Sequence, residues 1–410
     1  MMSDLVLLLP AVIGHGYLWA AYFNHTHSTP QPRWLMDAST AGGFACAVSI
    51  PVALGMGLVR GELDLVGLGP ASAIVWLGRV YVAAAWMAGV VATVRWGWLR
   101  LLRRPPDVLR HDRTRPARGE SPAPSDHHVV RGSPDPAPQG ECPARSDHHF
   151  LTRLPGNDIL RLEIAERAVE VARLPEALDR LTIVHLSDLH FTGRVRKSYF
   201  QEVVRQSNEL EPGLVAITGD VTDFPEYADW VPDTLGRLTS RHGAYFILGN
   251  HDARSRPDRI RRALTDSGLV DLGGRWLETE IDGEPVILAG NELPWIPPAA
   301  DLEHAPPHSP DGGPLRIALA HSPDQLRWAR AHDVDLLLAG HTHGGQIRIP
   351  GLGPILSASR LGVAYSSGTF HVPPTIMHVS RGISATFPLR FRCPPELVKL
   401  VLRTALPPKA

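Results

Sequence analysis

The sequence predicts an α/β domain with buried sheets, preceded by a small α-helical membrane region. Residues 1–98 hold three long apolar segments with almost no charge. From about Asp158 onward, short apolar runs rich in β-branched residues alternate with helical stretches, which is the pattern of layered α/β domains. Asp, Asn or His directly follows five of these runs, at the strand ends where such sheets place their sites.

The composition excludes two classes of function. The 410 residues include 41 Lys and Arg against 42 Asp and Glu, which gives a net charge of −1. We therefore expect neither a basic nucleic-acid binder nor an acidic solvating protein. The three cysteines are too few and too widely spaced for a disulfide framework or a zinc knuckle. The 20 histidines are the more informative feature.

The three apolar segments predict a transmembrane region over residues 1–98. A spanning helix needs ~20 apolar residues, and all three segments qualify: Leu5–Phe23, Ala41–Val59 and Ala71–Val94. An arginine cluster follows the third segment, at Arg95, Arg100, Arg103, Arg104, Arg110, Arg113, Arg115 and Arg118. Positive-inside reasoning places the residues after it in the cytoplasm, and three spans then put the N-terminus outside. A fourth span within Leu65–Trp98 would reverse only the N-terminus.

Residues 99–150 are predicted to form a disordered linker. Pro, Arg, Ser, Asp and His dominate this stretch and apolar periodicity is absent, so folding could not offset the entropy of ordering it. The remaining residues, 151–410, form the predicted α/β domain. We therefore expect a multi-pass protein of the plasma membrane whose C-terminal domain is cytoplasmic.

Seven strands and three helices are predicted in the C-terminal domain. The strands are Ile159–Ile164, Leu181–Leu186, Leu214–Thr218, Ala244–Leu248, Val286–Ala289, Leu315–Ala320 and Val334–Ala339. The helices are Ser198–Glu209, Asp258–Asp266 and Pro323–Ala331. This alternation predicts sheets covered by helices.

The residues that follow the strands predict a metal centre. Ligand-type side chains stand at seven of these positions: Asp188, His190, Asp220, Asn250, His321, His341 and His343. Carboxylate, amide and imidazole ligands together suit Mn, Fe or Zn and disfavour Mg or Ca. Seven exceed the four ligands of one tetrahedral ion. The set therefore predicts two ions that share a bridging carboxylate.

This ordered set resembles the calcineurin-like metallophosphoesterase superfamily, whose motifs are D-x-H, G-D, G-N-H-D, H and G-H-x-H. The resemblance covers residues 158–402. Two downstream stretches, His378–Gly382 and Arg392–Glu396, resemble the C-terminal signature of a bacterial branch that is often membrane-attached. The resemblance implies a two-sheet β-sandwich flanked by helices. It also implies a hydrolase with a dinuclear metal centre and favours manganese.

The resemblance also implies roles for individual residues. Asp188, His190, Asp220 and His343 would hold one ion, and Asp220, Asn250, His321 and His341 would hold the other. A water between two ions ~3.5–4 Å apart becomes acidic enough to attack phosphorus as hydroxide. His251 would act on the leaving-group oxygen, and Asp252 would orient His251. Arg254 and Asn291 are candidate substrate contacts, and Asp223 has the same standing.

The function predicted from these features is a membrane-anchored dimetal phosphoesterase. It would hydrolyse a phosphomonoester, a phosphodiester or a pyrophosphate bond. Its partners would be the lipid bilayer and a phosphorylated small molecule, with a membrane-proximal or lipid-linked substrate as one candidate. The alternative is a membrane scaffold or sensor whose phosphoesterase domain only binds. Degenerate ligands would mark that alternative, and all seven ligand positions are intact.

Overall fold

The computed structural model describes residues 2–59, 72–101, 129–131, 149–307 and 313–404. The chain divides into two compact units, Met1–Pro106 and Asp107–Ala410. Most of the predicted linker, 99–150, lies outside the described residues. Inside it, Val129–Arg131 forms a short strand. The three domain boundaries stay a prediction.

The first unit contains three long helices: α1 (Met2–His27), α2 (Arg33–Val59) and α3 (Ala73–Leu101). By length and composition, two stretches of the described residues could cross a membrane, Arg33–Gly57 in α2 and Ala73–Val94 in α3. The first predicted segment lies in α1, which is not one of these two. A fourth span was considered within Leu65–Trp98. From Ala73 onward this stretch belongs to the single continuous helix α3.

Close packing and one polar side chain connect these helices. A Cβ placed on Gly14 of α1 would lie 1.7 Å from the carbonyl oxygen of Ala85 in α3. Glycine at this point lets the two backbones approach, as small residues do in membrane helix pairs. His15 places Nδ1 2.6 Å from the Tyr81 hydroxyl and Nε2 2.9 Å from the carbonyl oxygen of Ala47. This one imidazole therefore links all three helices.

The second unit is built on two mixed sheets. Its strands are β1 (Val129–Arg131), β2 (Arg161–Val171), β3 (Thr182–Leu186), β4 (Leu214–Thr218), β5 (Ala244–Ile247), β6 (Val270–Asp271), β7 (Trp276–Ile281), β8 (Glu284–Asn291), β9 (Leu315–Ala320), β10 (Leu336–Ala339), β11 (Arg348–Ile349), β12 (Gly353–Pro354), β13 (Gly368–Val372), β14 (Thr375–Val379) and β15 (Glu396–Thr404). One sheet has the order β1-β2-β15-β3-β4-β5-β6, the other has β13-β14-β10-β9-β8-β7, and β11-β12 is a separate hairpin. Each predicted strand overlaps an observed one.

Helices cover the outer faces of the sheets, and an apolar layer joins the inner faces. The helices of this unit are α4 (Lys197–Glu209), α5 (Asn250–Arg254), α6 (Pro257–Asp266) and α7 (Leu326–Ala331). In β4, Val215 and Ile217 belong to the cluster that includes Phe200 of α4, whereas Leu214 and Ala216 belong to the layer shared by both sheets. Alternate side chains of the strand thus serve two cores. The predicted fold class, mixed sheets flanked by helices, is confirmed.

Parallel pairing aligns the strand ends that carry the predicted ligands. β3 pairs in parallel with β4, and β4 with β5. In the other sheet β9 pairs in parallel with β8 and with β10. Because the carboxyl ends of parallel strands meet at one edge, the loops after β3, β4 and β5 converge, and so do those after β9 and β10.

A buried ion pair attaches the last strand. The Glu396 carboxylate at the start of β15 is fully buried and pairs with Arg167 of β2 and with Arg381, 3.2 Å away. Burial alone would raise the pKa of Glu396, but the two arginines lower it to about 2. β15 lies between β2 and β3, so this pair stabilises the centre of the larger sheet.

Candidate metal centre

The seven predicted ligands come from the two sheets and lie together. Asp188 and His190 follow β3, Asp220 follows β4, Asn250 begins α5 after β5, His321 follows β9, and His341 and His343 follow β10. Five of them have a positive φ, between 47° and 70°: Asp188, His190, Asp220, His341 and His343. Non-glycine residues in this region carry strain of about 1–3 kcal/mol each, and such strain clusters at functional sites.

The first group of ligand atoms comes from Asp188, His190 and His343, whose nearest ligand atoms all lie within 4.8 Å of one another. His190 Nε2 lies 3.2 Å from His343 Nε2, and His343 Nε2 lies 3.7 Å from Asp188 Oδ1. The carboxylate of Asp188 is fully buried and accepts the backbone N–H of His341. This hydrogen bond joins the loop after β3 to the loop after β10.

The second group comes from Asp220, His321 and His341. His321 Nε2 lies 3.2 Å from Asp220 Oδ2, 3.2 Å from His341 Nδ1 and 3.0 Å from the amide oxygen of Asn250. The same Asp220 oxygen lies 3.6 Å from His190 Nε2 in the first group. Asp220 therefore stands between the two groups, where a bridging carboxylate would be.

Hydrogen bonds on the far side of three imidazoles direct Nε2 into the site. His190 Nδ1 lies 2.8 Å from Asp223 Oδ2. His321 Nδ1 lies 2.7 Å from the carbonyl oxygen of Thr218, and His343 Nδ1 lies 3.2 Å from that of Ser384. Carbonyl and carboxylate oxygens accept from N–H, so in a neutral ring each bond places the proton on Nδ1 and leaves the lone pair on Nε2. Histidine ligands of metals are oriented in this way.

The electrostatics of the site favour positive charge. Burial opposes protonation of His190 and His321, yet neighbouring carboxylates raise the pKa of each to about 9. Burial also raises the pKa of Asp220, but His321 and His251 hold it well below its ordinary value. Asp220 therefore remains ionised, and without another cation protons supply the balancing charge.

The donor set fits two divalent cations. Two imidazole nitrogens 3.2 Å apart, as in both groups, cannot share a hydrogen bond unless one ring carries the proton on that atom. Bonds of ~2.1 Å from one ion to two imidazole nitrogens place the nitrogens ~3 Å apart at right angles. Burial, followed by the positive charges of His190 and of the Arg390 guanidinium, holds the pKa of His343 well below its ordinary value. His343 is therefore neutral and able to donate its lone pair.

His251 lies beside the groups and is oriented by Asp223. Its side chain is 25% exposed, and its Nδ1 contacts Asp223 Oδ1. The other oxygen of Asp223 accepts from His190, and Oδ1 also accepts the Thr386 hydroxyl at 2.9 Å. Asp223 thus connects a ligand of the first group to the predicted leaving-group residue. His251 Nε2 is left as the ring nitrogen available to a substrate.

The prediction that Asp252 orients His251 is wrong. Asp252 is fully buried, and its carboxylate accepts backbone N–H groups from Gly249 at 3.0 Å and from Thr222 at 2.9 Å. A third N–H comes from Val221 at 3.0 Å. Asp252 is adjacent to His251 in sequence, but on a helical turn neighbouring side chains diverge. It holds the loop after β4 against the start of α5.

The predicted substrate contacts lie apart from one another. Asn291 is fully buried at the end of β8, where its amide accepts from the N–H of Leu293 and donates to Gln325 at 3.2 Å. Both ends of that amide are committed within the protein, so the predicted substrate role for Asn291 is not supported. Arg254 ends α5, one helical turn after His251, and is half-buried. Its role stays a prediction.

Sequence reasoning missed Arg390. Its guanidinium is fully buried, donates to the carbonyl oxygen of Ser384 at 2.5 Å and lies 3.2 Å from His343 Nδ1. Arg390 stands two residues before Arg392–Glu396, the stretch that resembles the C-terminal signature of a bacterial branch. This proximity was the one sequence feature that pointed to Arg390. Nothing in the spacing places it beside His343, because the loop between them contains the whole β11–β14 region.

Comparison with known proteins agrees with this geometry. Residues 181–345 match the family described as Calcineurin-like phosphoesterase. An uncharacterized metallophosphoesterase of Bacillus subtilis, YkuE, is 30% identical over 250 residues, which cover 59% of this chain and 86% of that protein. The chain belongs to the calcineurin-like metallophosphoesterase family.

Two further relatives bear on this metallophosphoesterase. Phosphodiesterase YaeI of Escherichia coli is 27% identical over 229 residues, covering 54% of this chain and 81% of that protein. A zebrafish (Danio rerio) transmembrane protein with metallophosphoesterase domain is 28% identical over 274 residues. These cover 59% of this chain and 58% of the zebrafish protein, so the chain spans little more than half of that relative.

Family membership establishes the reaction class. The protein is a metal-dependent phosphoesterase, a hydrolase that acts on phosphorylated compounds and binds divalent metal ions. Its apolar helices and its transmembrane relatives indicate association with a membrane.

Proposed function

We propose that this protein is a multi-pass, membrane-anchored dimetal phosphoesterase whose catalytic unit faces the cytoplasm. The main support for two metal ions is the position of Asp220 Oδ2, which lies 3.6 Å from His190 Nε2 and 3.2 Å from His321 Nε2. One carboxylate oxygen at this distance from ligands of both groups suits a pair of ions. The cytoplasmic side follows from the arginine cluster after the third apolar segment.

We assign the seven ligands as the resemblance implies, with Asp220 in both sets. Two divalent cations bound there would polarise the phosphoryl oxygens and make an attacking water more acidic. Manganese is the metal we propose. A domain that only binds would not need His251 and all seven ligands intact. Their presence together in one site supports catalysis over the alternative of a binding-only scaffold.

The chain's own residues supply the proton for the leaving group. Asp223 holds His251 through Nδ1, which orients the ring and leaves Nε2 to face a substrate. A proton held on Nε2 can pass to the leaving-group oxygen as the ester bond breaks. His251 is more exposed than any of the proposed ligands, six of which are buried, and this exposure gives a substrate access to Nε2.

The proposed substrate is a phosphodiester, phosphomonoester or pyrophosphate at or near a membrane, with a lipid-linked compound as the leading candidate. Because the apolar helices and the catalytic unit are parts of one chain, the unit is confined near any bilayer that holds the helices. Confinement raises its effective concentration toward substrates in that bilayer.

Hydrolysis by the full-length protein in nanodiscs tests this proposal. With Mn²⁺ supplied, we expect cleavage of bis-p-nitrophenyl phosphate, two metal ions per chain by elemental mass spectrometry, and their loss in Asp220→Asn. Asp301→Asn is the matched control, because the Asp301 side chain is 66% exposed. Protein that binds two ions but hydrolyses no ester in a screen of phospholipids, nucleotide-sugars and simple esters would support the binding-only alternative.

Membrane sidedness has its own test. A reporter enzyme that is active only in the cytoplasm, fused after Ala410, should be active in cells. If a second reporter, which works only outside the cytoplasm, is active in the same position and the first is not, the proposed orientation is wrong. The proposed chemistry would not be affected.

A further inference from the structure

A band of exposed apolar side chains borders the metal centre. These residues are between 40% and 62% exposed, and we call them the apolar rim: Leu154, Ile347, Ile349, Leu352, Phe387 and Phe391. Single exposed apolar residues are ordinary, but a group of large ones marks an interaction surface. The rim belongs to the second unit alone.

Backbone contacts show that the rim is one surface. Phe391 forms β-bridges with Ile347 on one side and with Asn157 on the other. Asn157 donates from its amide to the carbonyl oxygen of Pro388 at 2.7 Å and from its backbone to that of Leu154 at 3.0 Å. Segments that are far apart in sequence are therefore held side by side.

The β11–β12 hairpin extends this surface. Ile347 and Ile349 are two residues apart and share a face, while Arg348 between them turns inward to the carbonyl oxygen of Gly344 at 3.0 Å. Leu352 lies in the turn between the two strands and is 60% exposed. The hairpin thus presents its apolar side chains outward and buries part of its charged one.

The rim lies next to the catalytic residues. Phe387 directly follows Thr386, whose hydroxyl donates to Asp223 at 2.9 Å. Ile347 follows the ligand His343 by four residues. A surface on which the rim rested would therefore lie close to the opening beside His251.

The charge around the rim is positive. No Asp or Glu occurs between Asp335 and Glu396, and exposed arginines stand next to rim residues at Arg153 and Arg392. The guanidinium of Arg194 lies 5.2 Å from the centre of the Phe387 ring. Asp158, whose carboxylate accepts the backbone N–H of Arg392, is paired with Arg161 at 3.6 Å. Apolar side chains ringed by arginine match an anionic lipid surface, where the rings enter the interface and the charges meet headgroups.

We propose that the apolar rim docks on the surface of an anionic phospholipid bilayer. The candidate spans in the same chain keep such a surface within reach, and the positive ring selects lipid over an apolar protein face. Docking would bring the opening beside His251 to the headgroup level. The inference is independent of the proposed catalysis, because a His251→Ala protein should dock equally well.

Spin-label depth measurements on the full-length protein test the proposal. In a background with Cys46→Ser and Cys142→Ser, and with the buried Cys393 retained, one nitroxide is attached to Leu352→Cys. Glu280→Cys, an exposed position on the edge strand β7, is the control. Collision rates with oxygen and with a water-soluble nickel complex are compared in nanodiscs of phosphatidylcholine, with and without about one third phosphatidylglycerol. Hydrolysis of a soluble ester checks that each variant is folded.

We expect the label at 352 to lie about 5–10 Å below the lipid phosphates in the anionic discs, and the label at 280 to stay in water. Arg153→Glu with Arg392→Glu should abolish this depth, and Arg262→Glu, at an exposed position on α6, should preserve it. A label at 352 that is as accessible to nickel as the one at 280 would overturn the proposal. So would equal depth in both lipid mixtures, or shielding from both reagents, which would indicate a protein contact.

Discussion

Replacing Asp223 by asparagine tests whether Asp223, and not Asp252, orients His251. Asp223 contacts His251 through Oδ1 and His190 through Oδ2 at 2.8 Å. Asparagine keeps the shape but places an NH₂ group against an imidazole N–H, so at least one of the two contacts becomes repulsive. Asp252, by contrast, touches only backbone N–H groups among the hydrogen bonds described.

The magnitudes follow from these contacts. General acid catalysis contributes about 10²–10⁴-fold, or about 3–5 kcal/mol of barrier. Loss of a residue that orients a metal-binding histidine costs about 10–100-fold in metal affinity or activity. We expect Asp223→Asn to lower kcat/KM at least about 10²-fold while the free energy of unfolding changes little. Asp252→Asn orphans one or more buried N–H groups at about 1–3 kcal/mol each, so it should lower stability first.

The assay compares two leaving groups. An ester of p-nitrophenol has a leaving group that departs without a proton, whereas an alkyl ester needs one. Asp223→Asn and His251→Ala should therefore lose far more activity on the alkyl ester than on the p-nitrophenyl ester, with metal content measured in parallel. Urea unfolding reports the stability of Asp223→Asn and Asp252→Asn.

One result would refute this reasoning. Suppose that Asp252→Asn, like His251→Ala, loses more activity on the alkyl ester than on the p-nitrophenyl ester, and that Asp223→Asn does not. Asp252, and not Asp223, would then orient His251. An equal loss on both esters in Asp223→Asn, with metal loss, would assign Asp223 to His190 alone.

Three further predictions concern stability and metal binding. Glu396→Gln should cost about 3–5 kcal/mol of unfolding free energy, as breaking a buried ion pair does. Because the pKa of Glu396 is lowered to about 2, its contribution to stability is present above about pH 4.5 and is lost as the pH falls toward 2. Urea midpoints measured over this pH range will test the loss. Gly14→Ala should lower the melting temperature in detergent because its Cβ would meet Ala85, whereas Gly16→Ala, with open space around its Cβ, should not. In metal-free protein the pKa of His190 is about 9, so metal binding near pH 7 should release protons, detected by calorimetry in two buffers of different ionisation enthalpy.

Each of these has a contrary outcome. Glu396→Gln that unfolds at the wild-type urea concentration would mean that the arginines find other partners. Equal melting temperatures for the two glycine variants would mean that α1 and α3 do not pack closely at this point. Binding heats that are identical in both buffers would mean that the site is already deprotonated before metal arrives.

Local sequence pattern was enough to predict the seven candidate ligands and the order of the strands that carry them. Each ligand directly follows a β-rich run, and residues adjacent to a strand end are placed by that strand, so Asp188, Asp220 and His321 could be predicted from local pattern. The candidate membrane spans in α2 and α3 could also be predicted from the sequence, because length and apolar composition are enough to recognise a spanning helix.

The neighbours of these residues depend on tertiary packing. Asp252 is adjacent to His251 in the chain, whereas Asp223 stands in the loop after β4; the side chain that reaches His251 depends on how this loop packs on α5, which no periodicity encodes. Arg390 reaches His343 from 47 residues away. The apolar rim is assembled from three separate segments by the β-bridges of Phe391. Contacts of this kind arise from the packing of the whole domain, and a pattern read along one chain reports only what adjacent residues share.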